Sequence, residues 1–277
     1  MFRGQEKRLI NLAIYLILIY IVVLIALFVF QESFIYFPQK ITRDYSEELI
    51  KESSNVEEII INSYDETLLH GWLVKNKEVE KSPLIIYYGG NAEEVSHMVR
   101  NWDHFSGYSL LLVNYRGYGL SEGRPKEKHL HKDAVVIFDE MIKREDIDKE
   151  NIVVMGRSIG TGVAVAIAEK KDIHGVILIT PFDSLIKVVQ NKMRIIPADW
   201  ILRNRFDSIE KAPNIKQPLL VLAAKDDKVI PSQHATNLAE KWGGEVDIEI
   251  LDGVVHNTIQ YHSLYWDSIK KFLERIQ

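Results

Sequence analysis

From Leu12 to Phe30 the chain reads LAIYLILIYIVVLIALFVF, apolar on every face and free of charge, Pro and Gly. At ~1.5 Å of rise per residue the run spans about 30 Å of hydrocarbon, so the pattern predicts a transmembrane helix. A core helix of this length would carry a polar stripe, and a cleavable signal would have a shorter apolar run and a small-x-small site, which LFVFQES lacks. Beyond Asn55 the periodicity changes. VEEIIINS and TLLHGWLV, joined by a polar YDE turn, predict an antiparallel hairpin. PLIIYY, SLLLVNY, NIVVMG, GVILIT, PLLVLAA and VDIEIL then recur as short, nearly unbroken apolar runs. Most are separated by segments with apolar positions three or four apart, including HLHKDAVVIFDEMIKRE, IGTGVAVAIAEKK, PSQHATNLAEKW and YHSLYWDSIKKFLERI. Apolar strands alternating with amphipathic helices predict an α/β fold, a mostly parallel sheet covered by helices on both faces.

Boundaries follow from these changes of pattern. Residues 1–31 form a tail and signal anchor, 32–55 a connector, and 56–277 one α/β domain. FIYFPQK in the connector is apolar enough either to dock on the domain or to lie at the lipid interface. A short cap is expected within about 181–217, where LIKVVQNKM and PADWILRNRF each read as a brief helix. Trp200, Ile201 and Leu202 there either line an acyl pocket or pack on the core.

Composition narrows the picture little. At 277 residues and 47% hydrophobic, the chain is long enough for one large core. The net charge of -5 arises from well-mixed acids and bases, which gives no nucleic-acid footprint. The chain has no cysteine, so thiol catalysis, disulfides and thiolate metal sites are excluded. No cofactor or metal is expected. Arg3, Lys7 and Arg8 precede the apolar run and Gln31 and Glu32 follow it. Lys40 and Arg43 soften this bias, but it puts the N-terminus in the cytoplasm and the domain on the other side of a single-pass membrane protein.

Chemistry concentrates in four loops. GRSIG, from Gly156 to Gly160, follows a predicted strand and opens a predicted helix, the setting of a G-x-S-x-G nucleophile elbow centred on Ser158. A serine hydroxyl needs a base, and in this setting the chain order is Ser, acid, His. His256, in the polar loop LDGVVHNTIQ between a late strand and the last helix, is the candidate. His174 precedes a buried strand, His262 falls inside the last helix, and His129 and His131 read as solvated residues at a helix start. KDDKVIP supplies Asp226 and Asp227 after the preceding strand, and Asp227, four residues before a helix-opening Pro231, is preferred. Asp183, one strand earlier in TPFDS, is the rival acid. For the oxyanion, the Ile159 amide provides one donor, and GGNAEEV provides a second at Asn91 or Ala92, where Gly89 and Gly90 permit close backbone approach. That stretch lacks the spacing of a phosphate-binding glycine loop.

Together these residues resemble the α/β-hydrolase superfamily. Within it they are similar to membrane-anchored serine hydrolases of the bud-emergence-related and protein-depalmitoylase-like groups. NYRGYGLSEGRP, GGNAEEV, GRSIG, KDDKVIP, VVHN and FIYFPQ carry the resemblance. It implies Ser158, Asp227 and His256 as a triad and Asn91 with Ile159 as the oxyanion hole. Gly89 departs from the family's usual His, and Ala224 from a common Gly before the acid loop. The implied activity is hydrolysis of an ester, thioester or amide, with a lipid, an acylated protein or a small ester as substrate and the bilayer as partner. A serine nucleophile argues against dehalogenation. A membrane scaffold that keeps the fold without turnover is the alternative from another class.

Overall fold

In the computed structural model, residues 2–105 and 107–277 are described; Met1 and Ser106 lie outside it, as do the side chains of residues 2–4, Arg3 among them. The apolar run forms one helix, α1 (Phe2–Ile35), about 51 Å long at 1.5 Å per residue. Its apolar window has a mean hydropathy of 3.2 and is not buried by the rest of the chain. The expected hairpin is present as β1 (Val56–Asn62) and β2 (Leu68–Val74), paired antiparallel from Val56 opposite Val74. It joins β3 (Ser82–Tyr88), β4 (Ser109–Val113), β5 (Ile147–Arg157), β6 (Gly175–Ile179), β7 (Leu219–Ala224) and β8 (Val246–Leu251).

The eight strands run in the order β1-β2-β4-β3-β5-β6-β7-β8. From β4 to β8 every neighbouring pair is parallel. Alternation in β3 shows why its sequence has no polar face: Leu84, Ile86 and Tyr88 enter one core while Ile85 and Tyr87 enter the other. The first core is closed by α3 (Glu127–Met141), α4 (Ile159–Ala168) and α8 (Gln233–Lys241). α2 (Arg43–Glu52), a 3-10 helix at Val95–His104 and α9 (Ser263–Ile276) close the second. Between β6 and β7 lie three short helices, α5 (Leu185–Lys192), α6 (Ala198–Ile201) and α7 (Ser208–Lys211).

Several sequence expectations change. The connector is not structureless, because α1 continues to Ile35 and Arg43–Glu52 forms α2, capped by the Thr42 hydroxyl accepting the Tyr45 N–H. FIYFPQK docks on the domain through buried Tyr36, and Gly119 donates its N–H to the Gln39 carbonyl at 2.7 Å. PADWILRNRF is helical only over Ala198–Ile201. His262 is the N-cap of α9, accepting from the Leu264 N–H at 3.2 Å, so it precedes the helix. His131 is not solvated: its ring sits edge-on to Phe206, its Nε2 is buried without a partner, and burial lowers its pKa to about 4.

NYRGYGLSEGRP acts as a clamp beneath the site. Arg116 is buried and gives its guanidinium to Asp133 at 2.7 Å and to Asp65 at 2.8 Å. The Asp133 bond is the leading reason its pKa is raised well above the ordinary arginine value. Gly119, at φ +51°, passes so near Asn114 that a Cβ would lie 2.3 Å from Nδ2. Replacing Arg116 by Met leaves the buried Asp133 carboxylate uncompensated, for which a loss of about 3–5 kcal/mol is expected. Urea unfolding of the full chain in detergent would measure this, and an unchanged midpoint would contradict it.

Candidate active site

Gly156 and Gly160 shape the turn at the end of β5. A Cβ on Gly160 would lie 2.1 Å from the Tyr88 carbonyl oxygen, and one on Gly156 would lie 2.4 Å from that of Gly160. Both positions therefore exclude any larger residue. Between them Ser158 takes φ +51°, ψ -118°, a backbone that L-residues rarely adopt. The strain is held from both sides. Its own N–H donates to the Ile179 carbonyl at 2.9 Å, while its carbonyl accepts from the Thr161 hydroxyl at 2.6 Å and the Thr161 N–H at 3.0 Å.

This turn lifts the Ser158 hydroxyl to the carboxyl edge of the sheet, where ligands of open α/β sheets bind. The loops after β7 and β8 bring Asp227 and His256 to the same edge. Ser158 Oγ lies 3.0 Å from His256 Nε2, and His256 Nδ1 lies 2.6 Å from Asp227 Oδ2. Asp227 Oδ1 accepts the N–H groups of Val229 at 2.7 Å and Ile230 at 2.8 Å, so the carboxylate cannot turn away. With a carboxylate facing Nδ1, the neutral imidazole keeps its proton on Nδ1 and presents Nε2 as an acceptor towards the hydroxyl. All three residues are buried, and Ser158 and His256 line a cleft of about 360 Å³.

The neighbouring acids separate clearly. Asp226 is exposed while Asp227 is buried. Asp183 is fully buried but faces another histidine, with His234 Nδ1 at 2.7 Å, and it also meets Lys187 at 3.0 Å and Asn237 at 3.2 Å. Burial alone would raise its pKa, but these partners outweigh burial and lower it to about 2. That pair ties α8 to the cap and leaves His256 to Asp227.

Ile159 opens α4, so its N–H has no carbonyl one turn back. The N–H of Ser158 is already taken by Ile179, which makes Ile159 the available amide beside the hydroxyl. Asn91 lies across the cleft. Its side-chain oxygen accepts the N–H groups of Ala92 at 2.8 Å and Phe37 at 3.1 Å, so the Ala92 amide is already engaged and the donors left on this side are those of Asn91. At Gly89 a Cβ would meet Val95 Cγ1 at 2.8 Å. Val95 fills the space.

Two residues that sequence reasoning missed bind these loops together. Glu93 accepts the Gly90 N–H and the Tyr87 hydroxyl, each at 2.6 Å, and pairs with Arg157 at 3.0 Å. Arg157 reaches on to Asn257 Oδ1 at 3.1 Å, next to His256. Burial would lower the Arg157 pKa, but the Glu93 charge prevails and raises it. A buried ion pair thus spans the β3 loop, the elbow and the histidine loop. In sequence, Glu93 and Glu94 are indistinguishable, and only the position directly before Ser158 hinted at Arg157.

The apolar wall comes from α5 and α1, and of the two alternatives for Trp200, Ile201 and Leu202 the pocket lining is absent. Leu185, Val188 and Val189 of α5 line the cleft opposite Phe34 and Ile35 from the end of α1. Trp200 is 88% exposed, Ile201 is packed inside, and neither lines this cleft. Among the described residues, no group of three or more His, Cys, Asp and Glu side chains is placed to hold a metal ion.

Comparison with known proteins identifies the family and the fold. A family described as serine hydrolase matches residues 137–275, a stretch that contains Ser158, Asp227 and His256. The chain is similar to alpha/beta hydrolase domain-containing protein WAV2 of Arabidopsis thaliana, with 27% identity over 271 residues covering 89% of this chain and 88% of the relative. It is also similar to alpha/beta hydrolase domain-containing protein 17C of Mus musculus, 30% identical over 60% of this chain and 50% of that protein. Among solved structures, the Pyrococcus furiosus esterase Pf2001 superposes with a TM-score of 0.70 at 20% identity, over 87% of this chain and 97% of that one.

Proposed function

The chain belongs to the serine hydrolases of the α/β-hydrolase superfamily, and from that premise we propose that it is a membrane-anchored enzyme cleaving an acyl ester, thioester or amide through Ser158, His256 and Asp227. The carrying observation is the continuous chain from Ser158 Oγ to His256 Nε2 at 3.0 Å and from His256 Nδ1 to Asp227 Oδ2 at 2.6 Å. In this reading residues 1–31 anchor the chain, 32–55 connect, and 56–277 hydrolyse. The basic flank, which includes Lys7 and Arg8, supports a domain on the non-cytoplasmic side.

Ser158 Oγ attacks the acyl carbonyl as its proton passes to His256 Nε2, and the carbonyl oxygen becomes an oxyanion beside the Ile159 and Asn91 amides. The N-terminus of α4 adds its positive end there. Asp227 keeps the second proton on Nδ1 and stabilises the imidazolium. Collapse of the tetrahedral intermediate breaks the bond to the leaving group, which takes the proton from Nε2. Water then attacks the acyl carbon as Nε2 takes its proton, and collapse breaks the bond to Ser158 Oγ, which takes that proton from Nε2 and frees the acid. The wall of Leu185, Val188, Val189, Phe34 and Ile35 suits an apolar acyl chain.

A fluorophosphonate probe tests this on the full chain in detergent. Wild type is expected to label, and Ser158→Ala is expected to lose the label at equal protein and equal circular dichroism. Equal labelling of both would remove Ser158 from its role, and failure of wild type to label would favour a fold-retaining scaffold.

A further inference from the structure

α1 is apolar all round, yet it uses one face against the domain. Leu24 and Leu27 are half-buried in a run that is otherwise exposed, and Tyr20 and Gln31 continue their stripe at helical spacing. The Tyr20 hydroxyl donates to the Ile195 carbonyl. Gln31 donates to the Ile201 carbonyl at 3.1 Å and accepts the Arg203 N–H at 2.7 Å. Arg203 in turn lies 5.0 Å above the Phe28 ring and 2.9 Å from Glu32. The cap is therefore fastened along about 16 Å of helix between Tyr20 and Gln31.

This contact fixes a depth. If Leu12–Phe30 fills the hydrocarbon, Tyr20 lies about 15 Å below its domain-side end, and Ile195 lies beside it. The cap edge is built for such surroundings. Ile195 is 78% and Trp200 88% exposed, with Met193 half-exposed beside them. Its irregular backbone is also largely satisfied internally, as lipid requires. The N–H groups of Ile196, Ala198 and Trp200 donate to the carbonyls of Met193, Ile196 and Pro197, residue 197 has no N–H, and Tyr20 satisfies the Ile195 carbonyl. Arg194 and Asp199 are the charged residues within this edge, and the Asp199 carboxylate accepts from Gln190 Nε2 at 2.6 Å.

Resting on the membrane-anchored reading above, we infer that the Met193–Trp200 edge of the cap is immersed in the domain-side leaflet, so that the cleft between Phe34, Ile35 and α5 receives its acyl chain from the bilayer. The partner of this surface is the lipid leaflet itself. Continuity with α1 distinguishes it from a protein-docking face, because the contact that positions the cap is made by the anchor.

The absence of cysteine makes the test direct. Full-length protein carrying a nitroxide at Ile195→Cys, Trp200→Cys, Ile17→Cys or Lys149→Cys is reconstituted in phosphatidylcholine–phosphatidylglycerol vesicles. Relaxation by oxygen and by a water-soluble nickel chelate is then compared. Ile17 is exposed on α1, and exposed Lys149 lies near the start of β5, at the opposite end of that strand from the elbow at Ser158. Labels at 195 and 200 are expected to resemble the label at 17, open to oxygen and with loss of the nickel effect seen at 149. Nickel-accessible labels at 195 and 200 with a lipid-exposed label at 17 would overturn the inference and leave the anchor standing. Nickel access at 17 would overturn the anchor reading and the inference with it.

Discussion

Ser158→Ala is expected to lower turnover of the best acyl ester by on the order of 10⁴- to 10⁶-fold, and His256→Ala by a similar factor, while the double variant falls no further than either alone. The reason lies in the shared proton. Without the imidazole, the Ser158 hydroxyl keeps its proton at neutral pH, and without the hydroxyl His256 has nothing to deprotonate. What survives is binding in the cleft and the Ile159 and Asn91 donors acting on water attack. Turnover of a p-nitrophenyl ester series by wild type, both single variants and the double variant, at matched circular dichroism, measures this. Two independent losses that multiply in the double variant would show that the residues do not act as one unit. Ser158→Ala tests the nucleophile more cleanly than changes at Gly160, because a Cβ there would strike the Tyr88 carbonyl and disturb the fold as well.

Much of this arrangement was legible because it is encoded locally. The β-branched run NIVVM, the two glycines and the helix that follows specify the elbow within about a dozen residues, and the structure puts Ser158 at the positive φ such a turn needs. Asp227 and His256 stand out by their place after consecutive strands. What could not be read depends on distant partners. His131 looks like any polar residue at a helix start until Phe206 arrives against it from within the cap. The docking face of α1 is hidden because its hydropathy is nearly uniform, and in sequence Tyr20 is no more distinct than Tyr15. The pair of Arg157 and Glu93 joins loops 64 residues apart in sequence, so no spacing rule reveals it. Sequence left Trp200, Ile201 and Leu202 open between pocket lining and core packing; the cleft is lined by α5 instead, and the indole stays outside.

Asp227→Asn is expected to reduce turnover by about 10⁴-fold with the fold intact, whereas Asp226→Asn and Asp183→Asn are expected to leave it near wild type. The argument rests on which oxygen is already engaged. Asp227 Oδ1 accepts two backbone N–H groups, from Val229 and Ile230, at 2.7 and 2.8 Å. An asparagine can satisfy those donors only with its carbonyl oxygen in that place, which turns its NH₂ towards His256 Nδ1. The imidazole must then accept at Nδ1, its proton moves to Nε2, and Nε2 no longer has a lone pair for the Ser158 proton. Asp226 is exposed and touches none of these groups. Asp183→Asn weakens the contacts to His234 and Lys187, so its effect is read in thermal stability, while the bond from Asp227 to His256 is unaltered. Turnover and melting temperature, measured together for the three variants, separate these roles. A severe loss of turnover confined to Asp183→Asn or Asp226→Asn, with Asp227→Asn active, would transfer the acid's role away from Asp227.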